Sequence, residues 1–167
     1  MELNAAVPIG NLDPDVLVRI GVAAVLGPLL GLDREMRGHA AGLRTHGLIC
    51  VSAAAMTVSV IALYYQFEGD GESRMDPLRI FEATGGFVGI VGAGLIVFAR
   101  GRLHNLTTAT HLWLTAVIGI ACGAGQWPLV AICAAVSLVM LTLLTVVEGE
   151  WSRDRRIGGS DRREREE

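Results

Sequence analysis

A polar stretch set between two apolar runs constrains this chain most. Residues 31–46 read Gly-Leu-Asp-Arg-Glu-Met-Arg-Gly-His-Ala-Ala-Gly-Leu-Arg-Thr-His and hold seven ionisable side chains, while the flanking segments are rich in Val, Leu, Ile, Ala and Gly. The pattern fits a polar hinge between two membrane-crossing helices, because a hydrocarbon core about 30 Å thick needs roughly 20 helical residues. Composition agrees. The chain is 51% hydrophobic with a mean hydropathy of +0.47, and its charges crowd into short patches, unlike the amphipathic faces of a soluble domain.

Five segments are apolar enough to cross a bilayer, at 16–32, 47–65, 78–98, 106–123 and 127–147. The expected fold is therefore all-α: an integral membrane bundle of five transmembrane helices over 15–148, preceded by a short extracytoplasmic segment, 1–14. A charged tail, 149–167, mixes both signs around Gly158-Gly-Ser160 and is expected to be disordered. The first and fourth segments are the most polar. Arg19 lies one turn inside the first, where a guanidinium can snorkel to the headgroups, and Thr107, Thr108, Thr110 and His111 open the fourth. An interfacial or re-entrant segment is the alternative for both.

Orientation follows from arginine, since the chain has fourteen Arg and no Lys. Arg34, Arg37, Arg44, Arg100, Arg102 and the six tail arginines fall on one side of the expected bundle, with only Arg74 in a loop on the other. The positive-inside rule then places the N-terminus outside and the C-terminus in the cytoplasm. Residues 1–15 lack a basic n-region, and no Ala-x-Ala site directly follows the first apolar run, so no cleavable signal peptide is expected. Cys50, Cys122 and Cys133 all fall in apolar segments, where packing explains them better than disulfides or a metal cluster. The chain carries no phosphate loop, zinc spacing, internal repeat or nucleophile–base pair, and the tail's Glu164, Glu166 and Glu167 argue against nucleic-acid binding. Neither an enzyme nor a cofactor is expected.

Four ordered blocks carry a resemblance: Gly31-Leu-Asp-Arg-Glu35 with Gly38; Ala41-Gly-Leu-Arg-Thr-His46; Asp76-Pro-Leu-Arg-Ile80 followed by Gly92-Ala-Gly94; and Leu106-Thr-Thr-Ala109 with Trp113. Through them the chain resembles the membrane domain of the MgtC/SapB family over most of 15–147. The resemblance implies a regulatory protein of the bacterial inner membrane, linked to magnesium limitation, intracellular survival in a host and restraint of the rotary ATP synthase. It also implies that many relatives carry a soluble domain after the last span, where here about twenty residues remain. Departures are equally specific. Asp33 stands where the family usually has Glu, Phe87-Val-Gly-Ile-Val91 replaces its Gly-Ile-Gly-Phe-Leu, and Asn105-Leu-Thr-Thr-Ala-Thr-His111 replaces Gly-Leu-Thr-Thr-Ala-Ala-Thr; Glu82 and His111 look unusual for it.

Each block also has a reading of its own. Asp33, Arg34, Glu35, Arg37 and Arg44 can pair at the cytoplasmic boundary as an ordinary hinge, or Arg34, Glu35, Arg44, Thr45 and His46 can form a docking or ligand site. Asp76-Pro77 reads as a helix start. Arg79 and Glu82 then share a helical face, with Glu82 a carboxylate entering the hydrocarbon; a local pair with Arg79 and a functional site are both open. Gly27 with Gly31, Gly85 with Gly89, and Gly119 with Gly123 are small-x-x-x-small pairs spaced for close helix packing and self-association, whereas Gly92-Ala-Gly94 either packs likewise or opens an unwound stretch. Thr107 and Thr108 cap the fourth helix start or belong to the site, and His111 is expected among headgroups near Trp113, gaining interest only if it shares a cavity with Glu82.

Two functions from different classes follow. The first is a non-enzymatic regulator that binds another membrane protein and lipid. The alternative is a magnesium transporter or channel, with Asp76 and Glu82 from two subunits as weak candidates for the metal.

Overall fold

The structure is a computed structural model that describes residues 13–68, 76, 78–99 and 102–140. The N-terminal segment, Arg74, Pro77, Arg100, residues 141–147 of the expected fifth span, and the tail lie outside the described residues. Among the described residues there are five helices: α1 (Pro14–Met36), α2 (Leu43–Glu68), α3 (Arg79–Leu95), α4 (Leu106–Gly123) and α5 (Trp127–Met140). A short antiparallel hairpin, β1 (Val97–Ala99) with β2 (Arg102–His104), joins α3 to α4. Among the described residues three helices are long and apolar enough to cross a membrane: α1, the Leu43–Tyr65 part of α2, and α4. Two compact units divide after Ala134, within α5.

Local chemistry sets the ends. Asp13 caps α1 by accepting the Asp15 amide at 3.0 Å, with Pro14 beside it at the start of the helix. At the other end Gly38 adopts φ +67°, and two bonds close the helix: the Gly38 amide to the Glu35 carbonyl and the His39 amide to the Arg34 carbonyl. This is a Schellman stop, which needs a residue that tolerates positive φ. The expected hinge is thereby corrected. The first helix winds on through Asp33, Arg34 and Glu35, helped by an Arg37–Asp33 pair at 2.7 Å one turn apart, and α2 starts at Leu43, so only residues 37–42 lie outside helices.

The expected third span, 78–98, is also corrected. α3 stops at Leu95, and Val97 and Phe98, a β-branched and an aromatic residue suited to strands, pair with His104 and Leu103. Asn105 closes the hairpin at φ 63°, and its side-chain amide donates to the Leu95 carbonyl at 3.1 Å. Asparagine suits this position, since Asn is among the few side chains that enter the left-handed region readily. At the α3 start the Asp76 carboxylate accepts the Leu78 amide at 3.0 Å.

Glycine faces position the helices. A β-carbon built on Gly27 would fall 2.7 Å from Cys50 Cβ, and one on Gly31 would fall 2.6 Å from the Gly42 carbonyl, so α1 and α2 touch backbone to backbone. Gly119 and Gly123 do the same for α4 against Cys50, Ala53, Ala54 and Thr57 of α2. Because lipid is as apolar as leucine, such contacts are held by dispersion between closely approaching backbones and not by expulsion of water. These pairings make α2 antiparallel to α1 and parallel to α4, while α3 lies antiparallel on α4, with Gly85 under the Trp113 ring and Gly92 on Ala109. Leu30, Cys50, Ile118 and Cys122 fill the space between α1, α2 and α4.

Candidate functional site

This packing gathers the starts of α2 and α4 and the end of α1 at one end of the bundle. His46, one turn into α2, and His111, in the second turn of α4, are both buried there. Their rings face each other with His46 Nε2 3.1 Å from His111 Nδ1 and centroids 5.3 Å apart. His46 Nδ1 lies 2.8 Å from the Gly42 carbonyl oxygen. A carbonyl only accepts, so that nitrogen carries a proton. With both rings neutral, His46 Nε2 is then the acceptor and His111 Nδ1–H the donor. One proton added at His111 Nε2 leaves the bond as it is, or lets the Nδ1 proton pass to His46 and reverse it, with Nε2–H donating to the freed Nδ1 lone pair of His111. Two charged rings would set N–H against N–H, so the bond survives at most one added proton.

Arg34, from the last turn of α1, is buried beside the pair and close enough to act electrostatically on both rings, and Asp33 on that of His111. Thr108, one turn before His111, is 0% exposed, and its hydroxyl has no hydrogen-bond partner among the described residues. Thr115, one turn after, returns its hydroxyl to the His111 carbonyl at 2.9 Å. Around this core stand outer groups: Glu35 accepts the Leu43 amide at 3.2 Å, Thr45 is half-buried, and Arg44 and Thr107 are exposed.

The sequence candidates thus separate into two clusters. Asp33, Arg34, Glu35, Arg44, Thr45, His46, Thr107 and Thr108 meet at the His46 end. Asp76, Arg79 and Glu82 lie at the opposite end, where α3 starts. His111 is not among headgroups: it is buried by α2, because the close approach at Gly119 and Gly123 brings α4 against that helix. Nor does it share a cavity with Glu82, which is exposed on α3. Arg79 and Glu82 do not pair with each other, whereas Arg19 pairs with Asp15 and Arg37 with Asp33. Arg19 turns inward, donating to Asp15 and, at 2.9 Å, to the Gly123 carbonyl at the end of α4, where a cation meets the negative pole of the helix. The glycines separate too. Gly85 and Gly92 face the bundle, while Gly89 and Gly94 have nothing within 4 Å of a β-carbon.

Sequence reasoning missed the histidine pair. The signal was available: arginine alternation already put the starts of the second and fourth helices on one side, each with a histidine within two turns.

Long apolar helices, backbone-close glycine faces and a polar cluster enclosed at one end define the class, an α-helical membrane protein. The chain belongs to the MgtC family, whose family model matches residues 20–150. It is 36% identical over 115 residues to Protein SapB of Bacillus subtilis, covering 68% of this chain and 50% of that protein. It is 36% identical over 128 residues to the putative magnesium transporter YhiD of Escherichia coli K12, covering 76% and 59%. To Protein MgtC of Brucella abortus it is 33% identical over 130 residues, covering 75% and 51%. The chain thus matches between half and three-fifths of the length of these relatives. No solved structure matches it.

Proposed function

We propose that this chain is a non-enzymatic regulatory protein of the bacterial inner membrane, with five spans, its N-terminus outside and its C-terminus in the cytoplasm. It acts by binding another membrane protein during magnesium limitation or host stress. The rotary ATP synthase is the first candidate, on the family resemblance, and the contact is made at the end carrying Glu35, Arg44, Thr45 and Thr107.

The observation that carries this reading is the character of what the bundle buries. A hard divalent cation takes oxygen ligands, and magnesium keeps much of its water. The polar groups enclosed at the His46 end include a guanidinium and two imidazoles, so a magnesium ion there would meet a fixed positive charge. The carboxylates are otherwise engaged: Asp33 is paired with Arg37, Glu35 and Asp76 hold backbone amides, and Glu82 faces outward at the opposite end. Arg44 is exposed beside the enclosed cluster, where a partner can reach it.

The test is co-reconstitution of the chain with the ATP synthase in vesicles loaded with a magnesium indicator. The expected result is a change in ATP hydrolysis that Arg44→Glu abolishes, with magnesium traces no different from empty vesicles. Saturable uptake lost in Glu82→Gln would overturn this reading and favour transport, the activity named for the Escherichia coli relative.

A further inference from the structure

α3 has two opposite faces. Ile80, Thr84, Val88 and Gly92 are buried. At 3.6 residues per turn the opposite face carries Glu82, Gly86, Gly89 and Ala93, with Arg79 on its flank, and all five are exposed. A β-carbon on Gly86 or Gly89 meets nothing within 4 Å. Against lipid such a face is doubly unfavourable. Glycines leave backbone with little side chain to pack, and Glu82 sets a carboxylate one turn inside the helix, whereas charges in a membrane face a protein interior or a wet cavity.

Resting on the reading of α3 as a membrane helix, we propose that this face is the contact between two copies of the chain. α3 meets its counterpart about a two-fold axis along the membrane normal, with Gly86, Gly89 and Ala93 at the crossing. Glu82 of each copy pairs with Arg79 of the other.

Charge selects a second copy over an unlike partner. The stripe holds both signs, about 4.5 Å apart along the axis for three residues at 1.5 Å each, and Arg79 and Glu82 form no ion pair among the described residues. An axis along the membrane normal keeps each residue at its own height, so Arg79 of one copy reaches along the axis over that distance of about 4.5 Å to Glu82 of the other, and the symmetry produces two equivalent pairs from one sequence. Copies inserted in one direction hold their α3 helices parallel, and Gly89-x-x-x-Ala93 is a small-x-x-x-small spacing that lets parallel helices approach closely.

The test uses the purified full chain in liposomes, with donor- and acceptor-labelled copies mixed and the lipid progressively diluted. Energy transfer is expected to persist well below the density that gives random proximity. Glu82→Arg and Arg79→Glu are each expected to weaken association about tenfold, the scale of a polar contact between membrane helices, and the double exchange to restore it. Transfer no greater than random, or a double exchange weaker than either single change, overturns the proposal.

A nitroxide on Gly86→Cys, read as the difference from the native chain's labelling, separates the two levels of the argument. Shielding from both oxygen and an aqueous nickel chelate supports the interface. Exposure to oxygen alone shows α3 in lipid with its face uncovered, and only the dimer falls. Exposure to nickel shows that α3 is not in the membrane, and both readings fall.

Discussion

Alanine substitution at Gly21 and at Gly27 is expected to move stability in opposite directions, although both lie in α1. A β-carbon at Gly21 meets nothing within 4 Å, so Gly21→Ala removes only the conformational cost of glycine within a helix and stabilises by up to about 1 kcal/mol. At Gly27 the same atom falls 2.7 Å from Cys50 Cβ and 2.9 Å from both Gly47 Cα and the His46 carbonyl oxygen. Ordinary contact begins near 3.5 Å, so α1 must withdraw from α2 by most of an ångström. Two of the three obstacles are backbone and cannot rotate aside. A radial gap of that size forfeits a quarter to a half of each dispersion contact along the seam. Overpacking of this kind costs about 1–3 kcal/mol; set against the propensity gain of about 1 kcal/mol, the net loss is up to about 2 kcal/mol. The two variants should therefore differ by the overpacking cost itself, about 1–3 kcal/mol. Reversible unfolding in mixed micelles, followed by circular dichroism, measures the difference. A Gly27→Ala chain as stable as Gly21→Ala would show that α1 and α2 do not meet at these backbones.

Three further outcomes follow from the same geometry. His111→Leu leaves the buried Nε2 of His46 without its partner and should cost about 1–3 kcal/mol, while His46→Leu combined with His111→Leu should lose less than the sum of the single changes; a double-mutant cycle showing strict additivity would refute the pair. At Asn105, glycine keeps the left-handed backbone and loses the bond to the Leu95 carbonyl, whereas alanine loses both, so melting temperatures should fall in the order Asn, Gly, Ala, with Ala below Gly by about 1–2 kcal/mol. Arg19→Met should lower stability through the loss of its bond to the Gly123 carbonyl, and Arg19→Lys should recover part of it; a neutral Arg19→Met, read by the same unfolding assay, would return this side chain to the lipid boundary.

Much of the fold was legible because the bilayer simplifies the rules. Apolar length located the helices, and the fourth, at 106–123, has the bounds its hydropathy gave. Spacing alone identified Gly27 with Gly31 and Gly119 with Gly123, and the structure places all four against α2. Hydropathy is blind to where an apolar segment stops being helical. Val97 and Phe98 are as hydrophobic in a strand as in a span, so hydropathy did not reveal that they leave the helix and pair with Leu103 and His104. Charge counting likewise assigned Asp33, Arg34 and Glu35 to a loop, although paired and capped charges are as well served by the last turn of a helix.

The candidate site was legible as a list of residues and not as an arrangement. Sequence by itself determined that this is a helical membrane chain, which ends of its helices carry charge, and which family it joins, because these depend on composition and order along one dimension. Only the tertiary structure decided that His46 meets His111, that Arg34 lies beside them, that Arg19 turns inward to α4, and that Gly89 faces away from the bundle while Gly85 faces into it. Each of these depends on the rotation of one helix against another. That rotation is set by where two backbones can approach most closely, a property of pairs of surfaces that no single segment contains.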